Sequence, residues 1–287
     1  MSPRQHLRRL SGRALGVTLA GGALAVAALA VPHATARTTG AERRDTGFPS
    51  TCLGYCHHPT NAASVFKWGS PAWNQEFESG PLDSTWQSNG AGTIGQQNGM
   101  LTIQAASDSG TIEVWPEAAG AAATYGRWEA RIRAVEKSTT GTPYRFVWEL
   151  VPVSGNDSCG KNRIVLGSYV PGDKRARGSV NTLPDHTFTY SRLRDLQSRA
   201  WHTYAVEITR DHISWFVDTK VMRTETRPAA LAGVKYRPEL VMEATPNAVM
   251  RTSWFQADWV RDYTLKRKNV KSIDAPAMRE ATRAGTC

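Results

Sequence analysis

The sequence predicts an all-β domain, organised as a sandwich or barrel of many short strands. Two observations support this fold class. Apolar residues recur with a period of two in several short segments, and turn-forming Gly, Pro, Asn and Asp separate these segments. No long apolar stripe with the helical period of 3.6 and no internal repeat accompanies them. This combination is typical of sandwiches and barrels rather than of helical or α/β folds.

The clearest predicted strand is 127–135, where charged and apolar residues alternate from Arg127 to Ala134. A second alternating segment, 203–209, reaches a turn at Arg210-Asp211 and continues into a third, 212–218. We therefore predict a β-hairpin there. Shorter segments with the same character predict further strands at 101–105, 111–115, 144–151, 163–170, 240–244 and 253–263.

The N-terminal segment has the order of a secretory signal peptide. Four arginines precede an apolar run over 14–31, which ends at Pro32 and the small-residue triplet Ala34-Thr35-Ala36. We predict cleavage after residue 36 and a secreted, extracellular protein; the alternative is an uncleaved membrane anchor. No other segment is apolar enough to span a bilayer.

Composition divides the remaining chain into three parts. Residues 37–65 are rich in Thr, Arg, Gly, Pro and Ser and are predicted to form a linker or N-terminal arm. The strand-like texture then occupies 66–265, which is long enough for one large β domain. Residues 266–287 form a polar, basic and then Ala-rich C-terminal tail.

The chain is basic, with a formal net charge of +10, and small basic clusters lie at 174–177 and 266–271. In an exported protein such charge indicates a solvated face or weak attraction to an anionic cell-envelope polymer. We predict no nucleic-acid partner.

Four cysteines are present, and an even number in an oxidising compartment predicts two disulfides. Four cysteines allow three pairings, and the sequence does not choose among them. The close spacing of Cys52, Cys56, His57 and His58 leaves a metal site as an alternative. The four cysteines are Cys52, Cys56, Cys159 and Cys287.

Five groups of residues, in this order along the chain, resemble glycoside hydrolase family 16. They are NQEF and LDSTW within 74–86, NGMLTI at 98–103, YGRWEARI at 125–132, WHTYAVE with DHISWFVD within 201–218, and DWVRDY at 258–263. The resemblance implies a concanavalin A-like β-jelly roll: two antiparallel sheets, with a polysaccharide groove on the concave one.

The resemblance also implies where catalytic carboxylates belong. Members of this family hydrolyse glycosidic bonds with acids arranged as E-x-D-x-x-E or E-x-D-x-E on one strand. The corresponding strand here is 162–169, because it lies between the family-like segment FVWELVP at 146–152 and the family-like hairpin that begins at Trp201. Asn162 then stands at the first acid, Ile164 at the Asp, and Leu166 or Gly167 at the last acid. Nowhere in the chain is a Glu followed two residues later by an Asp. We expect these degenerate positions to line the floor of the groove.

A groove without its acids predicts a secreted protein that binds polysaccharide or a cell-envelope glycan in a non-catalytic cleft. The aromatic residues predicted to contact sugar are Trp115, Trp148, Tyr169 and Trp254, and Asn162 is predicted to form a hydrogen bond with a sugar hydroxyl.

Three alternatives remain open from the sequence. The first alternative is an active glycoside hydrolase with displaced carboxylates, for which Glu149 and Glu243 are the candidates. The second is a structural, envelope-associated jelly roll without a sugar ligand. The third is a lyase in which Tyr169 acts as the base.

The polysaccharide-binding hypothesis requires no cofactor. The resemblance implies a structural calcium ion, with Asp258 of the closing strand as its side-chain ligand. We predict a monomer.

Overall fold

A computed structural model describes residues 61–78, 80–117, 119–153, 162–182, 185–268 and 273–282. The described residues all belong to one unit, Pro49–Cys287. Within them, one short α-helix, α1 (Ala62–Phe66), accompanies sixteen strands, which confirms the predicted all-β class. No helix in this part of the chain is long and apolar enough to cross a membrane.

The strands, in chain order, are β1 (Trp73–Gln75), β2 (Trp86–Asn89), β3 (Thr93–Gln97), β4 (Met100–Ala105), β5 (Ile112–Pro116), β6 (Gly126–Glu136), β7 (Arg145–Pro152), β8 (Ile164–Tyr169), β9 (Arg175–Thr182), β10 (His186–Leu193), β11 (His202–Ile208), β12 (Ile213–Val217), β13 (Lys220–Glu225), β14 (Tyr236–Glu243), β15 (Ser253–Tyr263) and β16 (Arg279–Thr282).

These strands form two antiparallel sheets, as predicted, and each sheet has eight strands. Sheet A has the order β13-β12-β11-β6-β15-β4-β3, and β1 also pairs with β15. Sheet B has the order β16-β10-β9-β8-β7-β14-β5-β2. The predicted hairpin at Arg210-Asp211 is the β11–β12 pair, with Tyr204 opposite Val217 and Ile208 opposite Ile213. Most neighbours in each sheet are distant in sequence, as in a jelly roll.

The core lies between the sheets and follows the period-two alternation of the strands. On β6, Trp128, Ala130 and Ile132 face it and are at most 1% exposed. Tyr204 on β11 and Trp215 on β12 fill the same layer. Because alternate residues point to opposite faces of a strand, the residues between them face outward from the sandwich.

The structure extends the β domain at both ends of the predicted 66–265 range. Most of α1 lies in the segment that we assigned to the N-terminal arm, and β16 lies in the predicted tail. The Asn61 side chain accepts a hydrogen bond from Ser64 N (2.9 Å) and caps α1. Trp68, just after α1, packs against Phe216 and Tyr263 on the outer face of sheet A.

Candidate functional site

The orientation of β8 decides which side chains occupy the face that the family resemblance assigns to the groove. Ile164 and Leu166 are completely buried in the core cluster. Val165 and Ser168 point to the outer face of sheet B, opposite Glu149 and Val147 of β7. The outward residues Val165 and Ser168 are three positions apart rather than two, because a bulge interrupts the pairing of β8 with both neighbouring strands.

Our expectation that Ile164 and Gly167 line the groove floor is therefore wrong. Ile164 packs in the core, and a Cβ added to Gly167 would run into the ring of Tyr204 from sheet A. Leu166, the alternative to Gly167, also faces the core. Asn162 lies in the turn before β8, is 3% exposed, and has a φ of +62°.

The outward residues of this segment are Arg163, Val165 and Ser168. Their spacing along the chain is the spacing of the three acids in E-x-D-x-x-E, one residue later than the register we predicted from the sequence. Arg163 Nη1 donates to Glu149 Oε1 at 2.8 Å, which shows that its side chain lies on the outer face. None of the three residues carries a carboxyl group.

The two glutamates predicted as displaced acids do not form a pair. Glu149 lies on β7 with a side chain 6% exposed. Glu243 lies on β14 opposite Arg145, to which it is ion-paired, four residues along the strand from the partner of Glu149. At about 3.3 Å per residue, this places the two glutamates more than 10 Å apart along the sheet.

The structure instead brings Glu239 next to Glu149, a neighbour that the sequence analysis did not identify. The two residues stand directly opposite each other on β14 and β7. Each has its own arginine: Arg163 contacts Glu149, and Arg237 Nη1 lies 3.1 Å from Glu239 Oε2. Both carboxylates of this pair are therefore engaged by arginine.

Of the four aromatic residues predicted to contact sugar, only Trp115 lies on the outer face of sheet B. It is partly exposed on β5, and the guanidinium of Arg237 lies 4.5 Å from its ring centroid. Trp148 and Tyr169 are core residues, 1% and 2% exposed. Burial raises the pKa of Tyr169 well above its usual range, so it does not fit the role of a lyase base. Trp254 lies on sheet A, with Lys137 Nζ 3.9 Å from its ring.

A pocket of about 640 Å³ opens on the outer face of sheet B, over β8, β9 and β10. Outward residues of the three strands form its floor, among them Val165, Ser168, Ser179 and Thr189. Four arginines line it: Arg145, Arg177, Arg223 and Arg279. Among the residues that the structure describes, no acidic side chain is part of this lining.

Asp258, the predicted calcium ligand, is occupied by another cation. Its Oδ2 accepts a hydrogen bond of 2.6 Å from Arg131 Nη1. A carboxylate that neutralises a guanidinium does not suit a calcium site, in which several oxygen donors surround one ion. Among the described residues, no three His, Cys, Asp or Glu side chains come together as a metal site.

Several predictions fall on residues outside the described ranges. These are the signal peptide, all four cysteines, and the alternative metal site at Cys52, Cys56, His57 and His58.

Comparison with known proteins supports the resemblance at two levels. The sequence profile of glycosyl hydrolases family 16 matches residues 169–269. No curated protein sequence matches the chain significantly.

Solved structures match the fold at low sequence identity. A laminarinase from Rhodothermus marinus is 18% identical, with a TM-score of 0.55 over 68% of this chain and 96% of that chain. The catalytic domain of an endo-1,3-beta-glucanase (laminarinase) from Thermotoga petrophila RKU-1 is 15% identical, with a TM-score of 0.56 over 69% and 98%. SCLam, a non-specific endo-beta-1,3(4)-glucanase from family GH16, is 17% identical, with a TM-score of 0.56 over 69% and 91%. The chain is therefore similar to glycosyl hydrolases family 16 in sequence over residues 169–269, and its fold matches these solved structures over about two thirds of its length.

Proposed function

We propose that this protein binds polysaccharide on the outer face of sheet B without hydrolysing it. One observation carries the proposal. The three outward positions with the spacing of the family's acids hold Arg163, Val165 and Ser168. The sheet that supports a cleft is present, and the groups that perform double displacement are not at these positions.

The chemistry of these three side chains opposes glycosidic cleavage. Retaining hydrolysis needs a carboxylate nucleophile and a carboxylic acid about 5–5.5 Å apart, and its transition state resembles an oxocarbenium ion. Valine offers no nucleophile or proton, and a serine without an adjacent base is a weak nucleophile. The positive charge of Arg163 opposes, rather than stabilises, an oxocarbenium ion beside it.

The same face offers groups that hold a sugar chain. Trp115 presents a partly exposed ring, and sugar C–H faces pack on aromatic rings. Ser168, Ser179 and Thr189 present hydroxyls to the pocket, which donate and accept hydrogen bonds without being ionised. The proteins of similar fold include laminarinases, so a glycan is the ligand class that the fold relationship favours.

A second candidate function is hydrolysis through Glu149 and Glu239, and one observation favours it. The two residues are direct cross-strand neighbours, and such neighbours have Cβ atoms about 4.5–5.5 Å apart. Against it, each carboxylate pairs with an arginine, whereas retaining hydrolysis needs both carboxyl groups to reach the glycosidic bond.

The experiment measures binding and turnover on the same polymers: laminarin, lichenan, agar and carrageenan. We expect retardation of the mature protein in affinity gels containing at least one polymer, with no release of reducing ends. If the native protein turns over any of them, Glu149→Gln and Glu239→Gln decide the mechanism, with Glu243→Gln as the matched control. Turnover abolished by the first two substitutions and spared by the third contradicts the non-catalytic proposal and establishes the second candidate. Failure to bind any polymer contradicts both.

We further propose that the protein is exported and disulfide-bonded. The support is the order of basic, apolar and small residues over 1–36 and the even number of cysteines. N-terminal sequencing of secreted material is expected to begin near Arg37, and thiol titration of the denatured, unreduced protein to find essentially no free thiol. A secreted chain that begins at Met1, or two free thiols per chain, contradicts these proposals.

A further inference from the structure

The pocket over β8, β9 and β10 is lined by basic residues from distant parts of the chain. Arg145 comes from β7, Arg177 from β9, Arg223 from the edge strand of sheet A, and Arg279 from the first residue of β16. Arg192 is a further positive charge close to Arg223. A solvated face scatters its charges, whereas these guanidinium groups converge on one concave surface.

The positive charge in this pocket is only partly neutralised. Arg145 is ion-paired with Glu243, and Arg177 with Asp173. Among the described residues, neither Arg223 nor Arg279 forms a salt bridge with a carboxylate; Arg223 Nη1 donates to the carbonyl of Met222 instead. Burial and the neighbouring Arg192 lower the pKa of Arg223, as expected for a cation in net positive surroundings.

Hydroxyl groups lie between these arginines. Ser168 is opposite Arg177 in the β8–β9 pair, and Ser191 is opposite Arg177 in the β9–β10 pair. The Ser191 Oγ accepts a hydrogen bond from Arg175 Nε at 2.8 Å, so its own hydrogen can be donated to a ligand oxygen. Guanidinium and hydroxyl donors around one concave surface suit an oxyanion, because its several oxygens accept from all of them.

We propose that this pocket binds the anionic substituents of an acidic polysaccharide, such as sulfate esters or carboxylates carried along a glycan chain. The inference rests on the proposed polysaccharide-binding function and names its ligand class. The pocket volume lies in the range of sites that enclose a small-molecule ligand, which suits a short segment of a charged chain. A neutral glycan would leave the charges of Arg223 and Arg279 without partners.

The ligands for the test are matched in backbone and differ only in charge. Dextran, dextran sulfate and carboxymethyl-dextran are each offered to the full mature protein, and dissociation constants are measured by biolayer interferometry at two or more salt concentrations. We expect both charged polymers to bind at least tenfold more tightly than dextran, and added salt to weaken their binding because it screens exposed charges. The two charged polymers distinguish sulfate from carboxylate as the preferred group.

Two variants test the pocket itself. Arg279→Gln and Arg223→Gln each remove one charge from the lining, and Arg210→Gln removes one from an exposed residue on the β11–β12 turn. Loss of one charge-assisted contact is expected to weaken binding of dextran sulfate about tenfold for the two pocket variants and not for Arg210→Gln. Because Arg279 is exposed, its replacement is not expected to disturb folding.

The outcomes separate this inference from the function on which it rests. Equal binding of dextran and its charged derivatives overturns the inference and leaves polysaccharide binding intact. An equal loss in Arg210→Gln and the pocket variants also overturns it, because general attraction to a basic protein then explains the binding. If the protein binds duplex DNA as tightly as dextran sulfate, the inference is overturned for the same reason. Failure to bind any charged or neutral glycan overturns the proposed function itself.

Discussion

Glu129 is a carboxyl group held under α1, on the outer face of sheet A. Its Oε1 accepts hydrogen bonds from Ala62 N at 2.6 Å and Ala63 N at 3.3 Å, and Tyr263 Oη lies 3.5 Å from Oε2. Burial raises its pKa from 4.5 to about 7, although these hydrogen bonds and the nearby Arg261 act in the opposite direction. The folded protein therefore holds a proton there that the unfolded chain releases.

This proton makes stability depend on pH in a defined direction. Between pH 4.5 and about 7 the folded state binds more protons at Glu129 than the unfolded state, so the free energy of unfolding falls as pH rises. The loss from this one group is roughly 3 kcal/mol. We expect Glu129→Gln to flatten the fall of the melting temperature between pH 5 and 8. Asp262, whose pKa burial raises to about 6, leaves a smaller slope of the same sign. An unchanged slope in Glu129→Gln contradicts the assignment.

Arg127 is the centre of a buried polar network on the same face of sheet A. Its Nε donates to Glu207 Oε2 at 2.5 Å, its Nη1 donates to the carbonyl of Thr264 at 2.8 Å, and its guanidinium lies 5.3 Å from the Trp68 ring centroid. His212 Nε2 lies 2.9 Å from the other oxygen of Glu207. The network connects β6, β11 and the chain after β15.

Removing one charge of this network is expected to lower the free energy of unfolding more than removing both charges. Arg127→Met leaves Glu207 buried without its main cation, a change that typically costs about 3–5 kcal/mol, whereas the double variant Arg127→Met/Glu207→Leu avoids the uncompensated charge. Urea denaturation of the two variants and the native protein measures the difference. A double variant less stable than Arg127→Met contradicts this explanation.

At the scale of the strand, β8 shows how far the sequence determines the site. Alternation predicted a strand at 163–170, and comparison with the family motif predicted that its acids are absent. However, two registers satisfy the spacing of the motif: residues 162, 164 and 167, or residues 163, 165 and 168. Tertiary packing chooses between them, because Ile164 and Leu166 fill the core and Gly167 leaves room for the ring of Tyr204. The apolar character of residues 164 and 166 was the signal in the sequence that favoured the second register.

The face assignment of β8 predicts opposite outcomes at two adjacent residues. Ile164→Thr places a hydroxyl in the core and removes a methyl group, which is expected to destabilise the protein by about 2–4 kcal/mol. Val165→Thr makes a nearly isosteric change on the outer face and is expected to cost less than about 1 kcal/mol. Thermal or urea denaturation measures both. Equal losses would mean that β8 does not present alternate faces as described.

Strands β9 and β10 were not predicted, and their composition explains why. The inward positions of β9 include Ala176 and Gly178, which give a weak apolar signal, and the ring of Tyr190 on β10 occupies the space beside Gly178. Apart from Leu193, their outward positions carry Arg, Ser, Thr and Asn. The pocket on these strands was unpredictable for a second reason: Arg223 and Arg279 reach it from segments distant in sequence, which only the completed fold brings together.

At the scale of the whole molecule, the C-terminal segment joins the pocket to the core. β16 pairs with β10 at the edge of sheet B, and Met278, just before it, is buried in the core cluster. Met278 N donates to Glu225 Oε2 of sheet A at 3.2 Å, and Arg227 Nη2 donates to the carbonyl of Met278 at 2.7 Å. The next residue, Arg279, lines the pocket. One short segment therefore contributes to both sheets and to the candidate site.

Truncation tests whether this segment supports both stability and binding. A chain ending at Ile273 loses the burial of Met278, the pairing of β16 with β10, and the hydrogen bond to Glu225, whereas a control chain ending at Thr282 keeps all three. Both chains lack Cys287, so any effect of an altered disulfide is common to them. We expect the shorter chain to lose about 3 kcal/mol or more of unfolding free energy relative to the control, from the apolar burial and the hydrogen bonds together.

We also expect the shorter chain to bind dextran sulfate more weakly than Arg279→Gln does, because the pocket loses a wall as well as a charge. A shorter chain that matches the control in stability would show that the segment is not part of the folded unit, and one that matches it in binding would show that this wall of the pocket does not contact the ligand.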